Sequence, residues 1–238
     1  MKTEKAKPKE IPQFIVPDCG KLAYKYLQEY GAFQAEAKPV NIQDFVQNFL
    51  ELDVRNEKMP LAYIKGMIAY GFMDVYDSIN QRVISAEPGT IILNEDLQND
   101  EITWRYVLAH EAGHWILKRE RSNTIQSQYA CCKSFEERED VLDSKKMALY
   151  FATDPDAESE MMADSIANSI LMPASSFLRH STFLIGKHDF LEPTMYAGEH
   201  PVQEQKVIKE LAAIYKVPEY AVRNYLYSFG LYAKRKPI

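Results

Sequence analysis

Five consecutive residues of this 238-residue chain have the types and spacing that could do chemistry: His110-Glu111-Ala112-Gly113-His114, an H-E-x-x-H pentapeptide. On a helix, residues four apart project from one face, so His110 and His114 can direct two imidazole nitrogens at a single metal ion. Glu111 lies one step round from the first histidine, where its carboxylate reaches a water beside the ion rather than the ion itself. Two ligands and a general base are the core of metal-assisted peptide hydrolysis. A third protein ligand has to come from elsewhere in the chain.

A downstream acidic stretch offers one. Glu158-Ser159-Glu160-Met161-Met162-Ala163-Asp164 leads into Ser165 and on to Pro173. Met161, Ala163, Ile166, Ala167, Ile170 and Leu171 recur at helical spacing, and Pro173 helps to end the helix. Glu160 and Asp164 share a face of it. Glu160 can complete a His, His, Glu set whose fourth position is left for water. Asp164 is then placed to accept the second ring N–H of a ligating histidine, fixing its tautomer and raising its basicity. Glu158, Asp154 and Asp156 are competing acids close by. Helix phase favours Glu160, because Glu158 sits roughly 200° from it on a wheel of 100° per residue.

The same stretches carry a resemblance. His110-Glu111-Ala112-Gly113-His114, preceded by Ile91-Ile92-Leu93-Asn94 and followed by Glu160, Ala163-Asp164, Ala167 and Ile170-Leu171-Met172-Pro173, resembles the ImmA/IrrE metallopeptidase family. The run from Glu210 to Arg223, with Gly230-Leu231 beyond it, extends the likeness to roughly residues 60–232. One departure is that Met162 and Asp164 stand where the family often has a second Glu or Asn.

The resemblance implies a zinc endopeptidase of narrow specificity. Its metal ligands would be His110, His114 and Glu160, with Glu111 as the catalytic acid–base residue and Asp164 in the outer shell. Zn2+ is the implied cofactor, with Mn2+ as an alternative divalent ion. The implied substrate is a helix-turn-helix transcriptional repressor, whose cleavage releases mobile-element or stress-response genes. A different class of function is a non-catalytic protein that binds a repressor, or a DNA-binding regulator with a structural metal. The terminal helix, turn, helix at 201–229 motivates the latter. Against it, the second of those helices, Glu219 to Phe229, carries Arg223 as its one basic residue, and the chain has a net charge of -6 and a pI near 5.5. Direct nucleic-acid binding is therefore not expected, whereas an acidic surface suits a basic peptide partner.

Elements must position these residues. The expected fold class is α+β: a mainly helical, zincin-like metallopeptidase domain with a small twisted β-sheet, plus a C-terminal, helix-turn-helix-like helical segment. Asn99-Asp100-Glu101 offers an N-cap and an acidic first turn, and Lys118, Arg119 and Arg121 load the other end, so a helix is expected over 99–121. Further helices are expected at 19–31, capped by Gly31, and at about 41–56, capped by Asn41. Residues 60–95 turn β-rich. Leu61–Ile64, Ile68–Phe72, Arg82–Ile84 and Thr90–Leu93 read as strands, separated by turns at Gly66, 77–80 and Pro88-Gly89. Thr90–Leu93 or Arg82–Ser85 is the expected edge strand that holds an extended substrate.

Residues 1–18 read as a disordered lead-in, 19–180 as the peptidase domain with a 122–159 insert, and 181–238 as the C-terminal segment. The insert includes a charged helix over 135–151. Past Pro173, a helix starts at Ser175 to His180, 181–200 reads as loop, and helices follow at 201–215 and 219–229. His180, His188 and His200 stay uncommitted. At 46% hydrophobic residues the chain can bury a sizeable core, and no apolar run approaches the roughly 20 residues of a membrane span. With no secretory h-region evident, and Cys19, Cys131 and Cys132 an odd set with two adjacent, a reduced cytoplasmic setting is expected. The lysines at both ends read as solvated tails.

Overall fold

The computed structural model describes residues 15–32, 38–59, 64–77, 81–120, 130–131 and 157–234. The first helix, α1 (Ile15–Tyr30), starts ahead of the expected residue 19. Pro17 fits its first turn, where a missing N–H breaks no helical bond, so residues 15–18 belong to this helix rather than to a lead-in. Cys19, Ala23, Tyr26 and Leu27 form its buried stripe.

Next comes α2 (Ile42–Asp44), where the Asn41 side chain accepts the Asp44 N–H at 3.3 Å, running into a π-helical turn, Phe45–Phe49. The helix expected over 41–56 ends there. Glu51 takes a left-handed φ of 58°, and the chain leaves as a strand, β1 (Asp53–Glu57). Cross-strand pairing along that whole strand outweighs the helical leanings of its Arg and Glu.

The remaining strands of this region are β2 (Gly66–Ile68), β3 (Met73–Asp77), β4 (Arg82–Ala86), β5 (Thr90–Asn94) and β6 (Ala130–Cys131). The main sheet has the order β1-β5-β2-β6, with β1 and β5 parallel and the other pairs antiparallel. Every residue of β5 is buried, as expected of a strand covered on both faces. Ile91 and Leu93 join the main core, while Ile92 joins Met67, Ala69, Ile84 and Ala86 in a second cluster that includes the β3–β4 hairpin.

Two expectations are corrected here. Thr90–Leu93 lies between β1 and β2, so it cannot take a further strand, whereas Arg82–Ser85 is an edge strand, but of the separate two-stranded hairpin sheet. The strand expected at Ile68–Phe72 instead begins at Gly66, which is extended rather than a turn residue. The candidate Leu61–Ile64 falls largely outside the described residues.

The helices that carry the expected ligands are α3 (Glu101–Glu120) and α4 (Ala157–Leu171). Asp100 caps α3, accepting the Thr103 N–H at 3.0 Å and its hydroxyl at 2.6 Å. Pro173 follows α4, and α5 (Ala174–Lys187) begins at once. The loop expected over 181–200 is thus helical through residue 187, and the domain boundary expected at 181 falls inside one continuous helix. Phe177, Ser181, Leu184 and Ile185 form its buried face, and that burial decides the matter.

Beyond lie β7 (Met195–Tyr196), α6 (Pro201–Tyr215), α7 (Glu219–Ser228) and β8 (Tyr232–Ala233), with β7 and β8 paired in parallel. Lys216 in the left-handed region and Pro218 make the α6–α7 turn. One hydrophobic core runs from Cys19 through Ile91, Leu108, Ile166, Phe177 and Leu211 to Tyr232, so the C-terminal helices share it rather than standing apart. Buried Arg105 of α3 reinforces this, donating to the carbonyls of Val40 at 2.9 Å and Lys216 at 3.4 Å. Of the 122–159 insert, only 130–131 and 157–159 are among the described residues; its expected helix and Cys132 lie outside them, as do nearly all of the terminal lysines. No helix of the described residues is long and apolar enough to cross a membrane.

Candidate metal centre

The site forms where α3 and α4 touch. Gly113, the small residue within H-E-x-x-H, allows the contact: a Cβ there would lie 2.8 Å from the Ala163 carbonyl oxygen and 3.2 Å from its Cα. Backbone packs directly on backbone. Each helix can therefore present short side chains to the other, and His110, His114, Glu160 and Asp164 all face this seam, buried.

Three ligand atoms converge there. His110 Nε2 and His114 Nε2 are 3.1 Å apart, and the two Glu160 carboxylate oxygens lie 3.3 Å from the first and 3.1 Å from the second. An ion with bonds of about 2.0–2.1 Å and tetrahedral geometry separates its donors by roughly 3.3 Å. The observed spacings fit that requirement. Among the described residues, His110, His114 and Glu160 are the group able to hold a metal ion.

Protonation fits as well. His110 Nδ1 donates to Asp164 Oδ1 at 2.7 Å, which leaves its Nε2 with a lone pair aimed at the cluster. His114 Nδ1 has the Ser159 hydroxyl at 3.5 Å. Burial holds the His114 imidazole below its ordinary value against the opposing pull of Glu160, which favours the neutral ring. Burial alone would raise the Glu160 carboxyl, but in the metal-free site hydrogen bonds and charge from the His110 and His114 rings, when these are protonated, outweigh it and hold the group well below the usual carboxylate range. Neutral imidazoles and an ionised carboxylate are the ligand-competent forms. Electron-rich atoms held this close repel one another unless positive charge lies among them.

Glu111 completes the arrangement. It is fully buried, and neither carboxylate oxygen has a hydrogen-bond partner. Desolvation pushes its pKa up to about 8, with the Glu160 and Asp164 charges adding to the rise against a lowering pull from His110. Room for it comes from β2. A Cβ on Gly66 would stand 3.0 Å from Glu111 Oε1, 3.1 Å from its Cγ and 2.6 Å from a Val107 methyl. An unpaired buried carboxylate costs free energy, so such a group points to a task.

All five residues singled out by spacing, His110, Glu111, His114, Glu160 and Asp164, come together. The competing acid Glu158 is exposed and outside the cluster, while Asp154 and Asp156 lie outside the described residues. His180 instead contacts the Ser176 carbonyl and the Tyr215 hydroxyl, and His188 pairs with Glu210. Three contributors escaped sequence reading. They are Gly66, Ser159 and Tyr106, whose hydroxyl donates to Asp164 Oδ1 at 3.4 Å. Tyr106 sits one turn before His110 and Ser159 directly before Glu160, a signal that was available; Gly66 needed the sheet register. No family model, no curated protein and no solved structure matches the chain.

Proposed function

We propose that this chain is a zinc-dependent endopeptidase of the H-E-x-x-H type, with the zincin-like arrangement of a metal helix beside a small sheet. One observation carries the reading. A buried His, His, Glu set at ion-binding separations has an unpaired, desolvated glutamate next to it in sequence, close enough for the charges of His110 and Glu160 to act on it.

His110, His114 and Glu160 would hold the zinc. When bound, zinc supplies a Lewis acid that polarises a carbonyl and acidifies water. Asp164 keeps the proton of His110 on Nδ1 and so commits Nε2 to the ion. Glu111 takes a proton from the attacking water onto its carboxylate and returns it to the leaving amine. The interior surrounding it excludes bulk water and strengthens each of these interactions. The resemblance to ImmA/IrrE peptidases suggests a helix-turn-helix repressor as substrate, acted on in the cytoplasm.

The test pairs the wild-type chain with Glu111→Gln, each loaded with zinc and given fluorescein-labelled casein or a repressor encoded beside the chain. The glutamine variant should keep one zinc per chain and lose cleavage by about 10²–10⁴-fold. Equal cutting rates would sink the mechanism. An intact repressor that co-elutes without fragments would point instead to a sequestering protein.

A further inference from the structure

Tyr106, His110 and His114 stand four residues apart on α3, so they follow one another along a single helix face. Across the seam, Asp164 meets the first two and Glu160 the last two. The histidines and both acids have roles in the proposed centre, and the tyrosine is the member without one. It is buried, and its hydroxyl donates to Asp164 Oδ1 at 3.4 Å, the same oxygen that takes the His110 Nδ1–H at 2.7 Å. A carboxylate oxygen has two lone pairs and can take both donors. The tyrosine ring in turn meets Tyr220 edge-on, with centroids 5.4 Å apart and planes at 82°. Tyr220 lies in the first turn of α7, just beyond Pro218.

We propose that Tyr106 is a positioning residue for the metal centre: its hydroxyl sets Asp164, Asp164 sets the His110 ring, and Tyr220 of α7 seats Tyr106. The inference rests on the metal-binding part of the reading above and does not require that the chain cut peptides. Rotation about the Cβ–Cγ bond of an aspartate is soft, so one donor alone leaves the carboxylate plane loosely set. A second donor arriving from another residue restricts it. A ligating imidazole is oriented through its second nitrogen, and the partners of that nitrogen contribute to metal affinity. A phenylalanine would fill the space of the Tyr106 ring and keep its contact with Tyr220. The hydroxyl's hold on Asp164 is what the tyrosine adds. By this route a helix near the end of the chain bears on a donor in the middle of it.

Zinc affinity of the full chain, read by competition against a chromogenic chelator, tests the route. Tyr106→Phe should weaken zinc binding about fivefold, the worth of one hydrogen bond. In an Asp164→Ala background the same substitution should change nothing, because the hydroxyl then has no carboxylate to hold. Undiminished affinity in Tyr106→Phe overturns the proposal. So does an equal loss in both backgrounds, which would make the hydroxyl a packing group and nothing more. Cobalt in place of zinc gives a second readout that needs no Asp164 variant. Its visible absorption follows ligand geometry and should differ between wild type and Tyr106→Phe; superimposable spectra count against the proposal. Tyr220→Leu should cost zinc affinity in the wild-type background and less in Tyr106→Phe, and an equal cost in both takes α7 out of the route. A wild-type chain that takes up neither ion removes the metal reading itself. Zinc held equally by wild type and Tyr106→Phe leaves that reading standing and refutes the positioning role alone.

Discussion

Glu111 and Asp164 are both buried acids within one small site, yet their surroundings differ, and the proposed mechanism gives them opposite tasks. Asp164 takes the Nδ1–H of His110 at 2.7 Å and the Tyr106 hydroxyl at 3.4 Å, both on Oδ1, so that oxygen is engaged in orienting the His110 ring. Glu111 has no such partner and is left available for proton transfer. The division predicts different failures. Asp164→Asn keeps the shape but replaces an anionic acceptor with a neutral amide, so zinc affinity should fall about 10–100-fold. Competition against a chromogenic chelator reads this directly. Asparagine with undiminished affinity would mean that Asp164 does not tune the ligand.

The helix seam is an assembly of elements, and Gly113 sets its spacing. In a solvent-facing helix interior, Gly→Ala gains up to about 1 kcal/mol through helix propensity. Here the new Cβ would meet the Ala163 carbonyl oxygen at 2.8 Å. Gly113→Ala should therefore destabilise the chain by about 1–3 kcal/mol and weaken zinc binding as Glu160 draws back from the histidines. Thermal melts with and without zinc test both effects, and a higher melting temperature would refute the close-contact argument. These two helices were legible in the sequence because their caps, apolar period and ligand spacing all agree. The sheet was less so. Arg55, Asn56 and Glu57 carry no strand signal, and pairing with Thr90–Asn94, remote in sequence, makes them one. Gly66 looked like a turn because its small size serves Glu111, a neighbour that only the fold supplies. The extension of α5 past His180 was hidden by Gly186, which is exposed at the end of the helix and disturbs nothing.

At the scale of the molecule, tyrosine is an unusually informative probe. Burial pushes Tyr225 up to about 12, and Tyr26, Tyr30 and Tyr232 reach about 12 by burial together with their bonds to Glu120, Asp44 and Glu204. Each folded value lies above the unfolded value of about 10, so the folded chain keeps these protons longer. The associated stability is complete below about pH 10 and is lost as pH rises through about 12. For Tyr225, deep in the core, it amounts to about 2–3 kcal/mol. Urea unfolding at pH 9 and pH 11 should show a marked loss for the wild type and a smaller loss for Tyr225→Phe. Identical pH slopes would contradict the assignment.

The single core that joins Cys19 to Tyr232 also separates the order of synthesis from the order of assembly. A ribosome makes α3 and α4 long before the helices and strand that complete their surroundings. Until those late segments arrive, the core around the seam that aligns the histidines and the glutamate is incomplete. In a nascent chain of this architecture the core behind the candidate site stays incomplete, so on the proposed function cleavage is expected only after the last elements are in place.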